Sequence, residues 1–298
     1  MRTKLISVIF LLLGVMYGCS ELFNGDEFDN LNKEKSTVII KLTDAPFPSD
    51  LVAEANVAID WIKLKRVVVD STEQDSVSPF LMLEVKDTFN LLDLSNGVTE
   101  VLGQLDSVPA GEYSEIRMHV VDASVVLNDG QVFDLKIPSG SSSGLKIKLK
   151  PALVVEGGEY EILLDFDVSR SFKVLGNINN NGKGKDKGIK GFMFKPVIRA
   201  VSLTSETGQS TTGEVFGTVV DTSDVKIENA NLYLTSGQDT IATAKTSEEG
   251  LYRIIGVPGG DYSLSCEKEG YESGQADVTV TVGDETEQNF TLTKLAED

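Results

Sequence analysis

The chain has 298 residues, a hydrophobic fraction of 41% and a formal net charge of −19. The acidic excess is concentrated in residues 213–298, which hold seventeen Asp or Glu against five Lys or Arg. Such a surface repels nucleic acid, so we expect no nucleic-acid partner. A solvated acidic surface is the simplest interpretation, and calcium binding by clustered carboxylates is the alternative.

Residues 1–18 have the features of a secretory signal peptide. Arg2 and Lys4 precede an apolar run, residues 5–15, that is too short to span a bilayer. The segment ends on Gly18-Cys19, which resembles the lipobox of bacterial lipoproteins. That resemblance implies cleavage before Cys19, its lipidation, and anchoring in the outer membrane, facing the periplasm or the cell exterior. An ordinary secreted protein is the alternative, whereas a transmembrane anchor would need a longer apolar run.

Residues 19–35 are polar and acidic without periodicity, which predicts a tether behind the lipidated cysteine. Cys266 is the only other cysteine, so no disulfide is expected. It alternates with Tyr262 and Leu264 in a predicted strand. We therefore interpret it as an inert core residue.

Residues 36–204 alternate short β-rich runs with turn residues, which predicts a first β-sandwich. Asn128-Asp129-Gly130 is typical of a tight hairpin. The only helical turns are expected at 98–105, and 177–191 is expected to form a mobile loop or hairpin tip. Strands are predicted at 37–42, 56–64, 66–69, 80–85, 113–121, 124–127, 132–137, 145–149, 160–166 and 192–203.

Residues 205–212 are a polar linker, and residues 213–298 form a second predicted sandwich. Its strands are expected at 215–220, 231–234, 240–245, 252–255, 262–267, 276–282 and 286–292. The predicted fold class is all-β, with two tandem antiparallel sandwiches that are immunoglobulin-like or transthyretin-like.

A short repeat occurs in both predicted domains. The pattern Val-Pro-x-Gly-x-Tyr ends at Tyr113 and again at Tyr262, and Gly-Gly-Glu-Tyr ending at Tyr160 is a shorter copy. Pro and Gly suit the turn, and the aromatic side chain enters the strand behind it. Each tyrosine is placed to hydrogen-bond back across a sandwich corner.

The first predicted domain resembles the lipoprotein family known as domain of unknown function 4382. The resemblance is carried, in order, by Leu-Thr-Asp-Ala-Pro at 42–46, Leu-Leu-Asp-Leu at 91–94, the repeat at 108–113, Pro-Ser-Gly at 138–140, Leu-Asp-Phe-Asp at 164–167 and Phe-Lys-Pro-Val-Ile at 194–198. It covers nearly all of residues 36–203. It implies a fold and a location, because no activity is attached to the family.

The second predicted domain resembles carboxypeptidase regulatory-like (transthyretin-like) modules. The resemblance rests on Val-Phe-Gly-Thr-Val-Val-Asp at 215–221, Thr-Ser-Glu-Glu-Gly-Leu-Tyr at 246–252 and Lys-Glu-Gly-Tyr at 268–271. Such modules are non-catalytic attachments of exported proteins, and they resemble starch-binding sandwiches in fold. Ser247 stands where the family often has Asp, which weakens any shared cation role of that turn.

Few residues of the sequence are candidates for a catalytic, metal-binding or sugar-binding role. His119 is the only histidine, and it alternates with the apolar residues of its predicted strand, which favours a solvated position. No serine elbow accompanies it, as a serine hydrolase would require. Asp165 and Asp167 share a strand face about 7 Å apart, which makes them calcium candidates. Asn177, Asn179 and Asn181 have calcium-loop spacing but lack carboxylates. Trp61 is interpreted as core rather than as a sugar platform, with a bulge beside it where the alternation breaks.

These observations predict a non-catalytic, lipid-anchored protein of the outer membrane or cell surface, with no cofactor. Its expected partners are the membrane, through lipid on Cys19, and an extracellular glycan or envelope proteins. Carbohydrate or partner binding is one function hypothesis, and a structural role in an envelope assembly is the alternative. A hydrolase is a third, which would need a cleft with converging carboxylates and aromatics.

Overall fold

A computed structural model describes residues 36–45, 51–68, 78–137, 143–176, 189–205 and 207–296. Cys19 and the tether therefore lie outside the described residues, as do most of the predicted 177–191 loop and Pro138-Ser139-Gly140. The described chain is almost entirely β-structure, which confirms the predicted fold class. No described helix is long and apolar enough to cross a membrane.

The first domain contains eleven strands, a 3₁₀ helix (Leu91–Leu94) and one helical turn, α1 (Val168–Ser171). The strands are β1 (Ser36–Ala45), β2 (Val52–Arg66), β3 (Phe80–Asn90), β4 (Glu100–Val108), β5 (Gly111–Leu127), β6 (Val132–Asp134), β7 (Leu145–Val155), β8 (Glu159–Asp167), β9 (Phe172–Gly176), β10 (Ile189–Phe194) and β11 (Ile198–Ser202).

The main strands form one sheet in the order β3-β2-β5-β7-β11-β8-β1-β4, with β6 added to β5. Only the pairing of Leu149 with Ala200 joins β7 to β11. The sheet folds over there into two layers, β3-β2-β5-β7 and β11-β8-β1-β4. The far edges also meet, since a Cβ on Gly103 of β4 would lie 2.9 Å from Leu83 of β3.

Strict alternation along these strands builds the core between the layers. Ile62 and Leu64 of β2, Ile116 and Met118 of β5, and Ile147 of β7 are buried, whereas the residues between them point outward. Because side chains alternate with a period of two, each strand that fills the core also presents a second row to the outside.

Four predictions about this domain are wrong. Residues 98–105 are not helical, and from Glu100 onward they belong to β4, which pairs with β1, because tertiary pairing overrides a weak local preference. No separate strand begins at residue 66, since Arg66 is the last residue of β2 and Val67 and Val68 lie in no strand; Val69 lies outside the described residues. The run 192–203 is divided into β10 and β11 around Pro196, which cannot donate to a ladder. The predicted strands 113–121 and 124–127 are one continuous β5.

The second domain has two four-stranded sheets around its own apolar core. The linker is a hydrogen-bonded turn, in which the amide of Ser205 donates to Gln209 and that of Thr211 donates to Leu203. The strands are β12 (Thr212–Asp221), β13 (Asn231–Ser236), β14 (Asp239–Lys245), β15 (Leu251–Pro258), β16 (Gly260–Glu267), β17 (Gly274–Val280), β18 (Glu285–Glu287) and β19 (Phe290–Leu292).

The repeated tyrosines make the predicted corner hydrogen bonds. The hydroxyl of Tyr113 donates to the carbonyl of Pro109, and that of Tyr262 donates to the carbonyl of Pro258, both at 2.8 Å. In the shorter copy, the hydroxyl of Tyr160 accepts from the amide of Glu156 at 3.0 Å. All three bonds span four residues, so one local device starts a strand at three places in the chain.

Candidate functional site: the basic face of the first domain

The outer side of the β3-β2-β5-β7 layer begins at the bulge that the sequence predicts. Ile59 pairs with Val120 and Trp61 with His119, so Asp60 is an extra residue in β2. The bulge turns both Asp60 and Trp61 outward, although neighbouring strand residues normally alternate. The prediction of a bulge beside Trp61 is confirmed.

Trp61 is not a core residue, which corrects the expectation for it. Its indole is half-buried on the outer side and stacks on the imidazole of His119, with ring centroids 4.8 Å apart. Nδ1 of His119 lies 3.1 Å from a carboxylate oxygen of Asp60, and Nζ of Lys63 lies 4.2 Å from the centre of the indole ring. The aromatic ring therefore holds two cationic or polar neighbours in place and offers no open platform to a sugar.

Next to this group, three cations lie in one row across three strands. In the register of the sheet, Lys63 of β2 is directly opposite Arg117 of β5, and Arg117 is directly opposite Lys146 of β7. Like charges that face each other across a ladder destabilise a sheet by about 0.2–1 kcal/mol per pair. The row therefore has a cost that folding alone does not require.

The adjacent row alternates in charge. Lys65 is opposite Glu115, and Glu115 is opposite Lys148. Glu115 is buried and accepts hydrogen bonds from Arg117 and Lys148, each at 3.0 Å. Desolvation alone would raise the pKa of Glu115, but these hydrogen bonds and charges outweigh it and hold the pKa below its ordinary value.

Together these outward side chains form what we call the basic face. Its cations are Lys63, Lys65, Arg117, Lys146 and Lys148, and its acids are Asp60, Glu84 and Glu115. Arg117 also stacks on Phe80, with its guanidinium carbon 4.5 Å from the ring centre. A locally positive, partly aromatic surface thus stands on a chain whose net charge is −19.

The carboxylates of Asp165 and Asp167, which the sequence makes calcium candidates, are bound by donors of the fold itself. Asp165 is buried and accepts from Nε and Nη2 of Arg199 at 3.1 and 2.8 Å. Burial raises the pKa of Asp165, and the charge and hydrogen bonds of Arg199 oppose that rise. Asp167 caps α1 by accepting from the amide and side chain of Arg170 and from the hydroxyl of Ser169. Both carboxylates are therefore engaged by neighbouring donors of the fold.

The other sequence candidates are also located. No group of three or more His, Cys, Asp or Glu that could hold a metal occurs within residues 36–296 as far as these are described. Asn177, Asn179 and Asn181 lie outside the described residues. Cys266 is a buried core residue whose thiol pKa burial raises to about 12. Ser247 caps its turn by accepting from the amides of Glu249 and Leu251 at 3.2 and 3.4 Å, as an Asp would.

The opposite layer of the first domain contacts the second domain. Arg199 of β11 donates to the carbonyls of Gly256 and Ile255 in β15, at 2.7 and 3.3 Å. A Cβ on Gly256 would lie 2.9 Å from Leu163 and 3.2 Å from Val201. The outer side of β8 and β11 is therefore closed by a joint between the domains, and the basic face lies on the other layer.

Family models agree with this division. The model described as "Domain of unknown function (DUF4382)" matches residues 35–186, and the model described as "Carboxypeptidase regulatory-like domain" matches residues 214–293. The chain belongs to the DUF4382 family. In this DUF4382 protein the two resemblances are thus confirmed, in the order that the sequence motifs indicate. No curated protein matches the chain.

Solved structures resemble this DUF4382 protein only distantly. The Bacillus anthracis TIE protein is 15% identical with a TM-score of 0.27, and the match covers 87% of this chain and 34% of that one. GBS52, the minor pilin of Streptococcus agalactiae, is 14% identical with a TM-score of 0.25, over 89% and 98% of the two chains. Klebsiella pneumoniae 5-hydroxyisourate hydrolase is 19% identical with a TM-score of 0.23, over 28% and 85%. The chain spans about a third of the length of the TIE protein.

The sequence motifs did not indicate the basic face. Its residues come from four strands that are distant in the chain, and they become one surface only through the register of the sheet. The alternation Leu-Lys-Ile-Lys-Leu at 145–149 does show that β7 turns two lysines outward. It does not show that Arg117 and Lys63 lie beside them.

Proposed function

We propose that the chain is a non-catalytic, lipid-anchored protein of the cell envelope that binds an extracellular glycan through the basic face. The observation that carries the binding proposal is the row Lys63, Arg117 and Lys146, which places like charges opposite one another. Groups that cost stability without filling the core are typical of binding surfaces.

The geometry supports a binding role better than a hydrolytic one. Asp165 and Asp167, the paired carboxylates of the sequence, are held by Arg199 and Arg170. His119 contacts Asp60 and the indole of Trp61. A hydrolase would need a carboxylate or imidazole directed at a substrate in a cleft.

Lipid anchoring is proposed from the sequence of residues 1–19. Several acyl chains, each contributing about 0.8 kcal/mol per buried methylene group, would hold the protein at a membrane permanently. Labelled palmitate should enter the wild-type chain and not the Cys19→Ala variant. Equal labelling of the two would refute the anchor. Protease treatment of intact cells should then show whether the protein lies on the outer face of the outer membrane.

Binding is tested by retardation of the full chain in gels that contain polysaccharides. Neutral and acidic polysaccharides are compared with a gel that contains none. Retardation by at least one polysaccharide is expected. Migration that none of them alters would remove glycan binding from the proposal.

A structural role in an envelope assembly is the second candidate, and the joint favours it. Arg199 bridges a buried carboxylate of the first domain and two carbonyls of the second, which fixes one domain on the other. Crosslinking in intact cells should capture a stable envelope partner. If only monomer is recovered, the scaffold role loses its support.

A further inference from the structure

The basic face has charge that the fold leaves unused. Glu115 neutralises part of Arg117 and Lys148. Lys146 is exposed and forms no ion pair within the described part of the chain. Lys63 stands over the indole of Trp61, where the attraction is weaker than to a carboxylate. The row of three cations therefore retains capacity for anions.

The spacing of the row suits a chain of anions rather than a single one. Neighbouring strands are about 4.8 Å apart, so the strands from β2 to β7 set Lys63, Arg117 and Lys146 at regular intervals. Met82 and Phe80 of β3 extend the same surface, and Met82 is exposed. A polymer that lies across the strands would meet a cation on each of three successive strands.

We propose that the basic face binds a polyanionic glycan, whose carboxylate or sulfate groups contact Lys63, Arg117 and Lys146 in succession. This inference rests on the proposed glycan-binding function and names the class of ligand. One side of β2 near Trp61 faces the core, and on the other side the indole of Trp61 is stacked on His119. Recognition is therefore electrostatic and does not depend on stacking against a sugar ring.

Charge complementarity favours a glycan over a second copy of the chain as the occupant. The acidic residues of the second domain would be attracted to the basic face, but two copies with a charge of −19 each repel one another at longer range. A glycan also supplies anions at regular intervals along one extended chain, which the row of cations requires. Nucleic acid shares the regular charge, so its affinity is one of the outcomes that the test distinguishes.

The test measures affinity of the full chain for polygalacturonate, dextran sulfate, neutral dextran and double-stranded DNA at 150 mM salt, together with self-association of the chain. The test variant combines Lys63→Gln, Lys146→Gln and Lys148→Gln. The matched control combines Lys173→Gln, Lys190→Gln and Lys195→Gln, three exposed lysines on and beside β9 and β10. Both variants lose the same net charge, so a difference between them reports the location of binding and not overall charge.

We expect one or both of the acidic polymers to bind and dextran not to bind. The test variant should lose about tenfold or more in affinity, because it removes two cations of the row and the neighbouring Lys148, and the control variant less than twofold. Preference for the carboxylated or the sulfated polymer identifies the anion.

Four outcomes overturn the inference. Binding to dextran alone would leave the proposed function standing and remove the polyanionic ligand. Acidic binding that both variants weaken equally would remove the basic face. Tighter binding to double-stranded DNA than to either acidic polymer would make the ligand a nucleic acid. Self-association that the test variant abolishes, without glycan binding, would make the occupant a second copy.

Discussion

The two outer sides of the first sandwich use their charges in opposite ways. On β8 and β11, Arg199 is bonded to Asp165 and to two carbonyls of the second domain, so its charge is consumed by the joint. On β2, β5 and β7, Arg117 lies opposite both Lys63 and Lys146, and of these three cations it is Arg117 that is paired with Glu115. One side is satisfied internally, and on the other side the cations of the row are only partly neutralised by the fold.

Structural and functional charges of this protein differ in the partners that the fold gives them. Asp165 and Asp167 look chemical in the sequence and are structural in the fold. Lys146 looks like an ordinary solvated strand residue and stands in a row that costs stability. Charges that are paired within the fold indicate architecture here, and we assign the proposed binding to the row that the fold leaves only partly paired.

Arg199→Ala should break the joint between the domains, and we expect it to lower the unfolding free energy more than any other variant. The change leaves the Asp165 carboxylate buried without its cation, which costs about 3–5 kcal/mol of unfolding free energy. Urea unfolding measures this cost, with Lys195→Ala as an exposed control that should change little. The double variant Arg199→Met with Asp165→Leu should recover most of the loss, because an apolar pair replaces the ion pair. A loss below about 1 kcal/mol for Arg199→Ala would show that the pair does not support the fold.

Gly256→Ala should weaken the same joint by a steric route. Gly256 has φ of 65° and a Cβ there would lie 2.9 Å from Leu163. Gly237→Ala is the matched control, since its φ is 60° and its Cβ would meet nothing within 4 Å. Both variants have the left-handed strain, and only Gly256→Ala should have an added cost of about 1–3 kcal/mol from overpacking. Equal melting temperatures of the two variants would show that Gly256 and Leu163 are not in close contact.

The sequence predicts the local features of the first domain but not the contacts between residues that are far apart in the chain. The tyrosine corners are local, so the repeats at 108–113 and 257–262 predict them correctly. The bulge at Asp60 is local too, and the broken alternation around Trp61 indicates it. The pairing of Asp165 with Arg199 and the row through Arg117 join residues far apart in the chain. Strand register decides both, and a single sequence does not contain it in readable form.

Glu115→Gln should show the balance of charge on the basic face. Loss of the charge-assisted hydrogen bonds from Arg117 and Lys148 should cost about 1–3 kcal/mol at pH 7. Because the folded-state pKa of Glu115 is lowered, its contribution is present above the ordinary carboxyl pKa and is lost as pH falls through the folded value. The wild type and the variant should therefore converge in stability as acid is added.

Urea unfolding of both proteins from pH 7 to pH 3 measures that convergence. A difference that stays constant over this range would contradict the assigned role of Glu115. The same variant frees Arg117 and Lys148, so it should also bind an acidic polysaccharide more tightly than the wild type.

Lys146→Gln should have the smallest effect on stability, with the opposite sign. Removing one of two like charges opposite each other should increase the unfolding free energy by about 0.2–1 kcal/mol. Lys195→Gln is the control, since it changes the same charge at an exposed position outside the row. If Lys146→Gln lowers stability instead, the row has no folding cost and the main reason to regard it as a binding surface disappears.

Lysine acetylation read by mass spectrometry tests whether the basic face binds an acidic polysaccharide. The full chain is modified with and without saturating acidic polysaccharide, and each lysine reports its own accessibility. The account predicts that the polymer slows modification of Lys63, Lys146 and Lys148 and leaves Lys173, Lys190 and Lys195 unchanged. Equal protection of all six lysines, or protection confined to the second three, would contradict it.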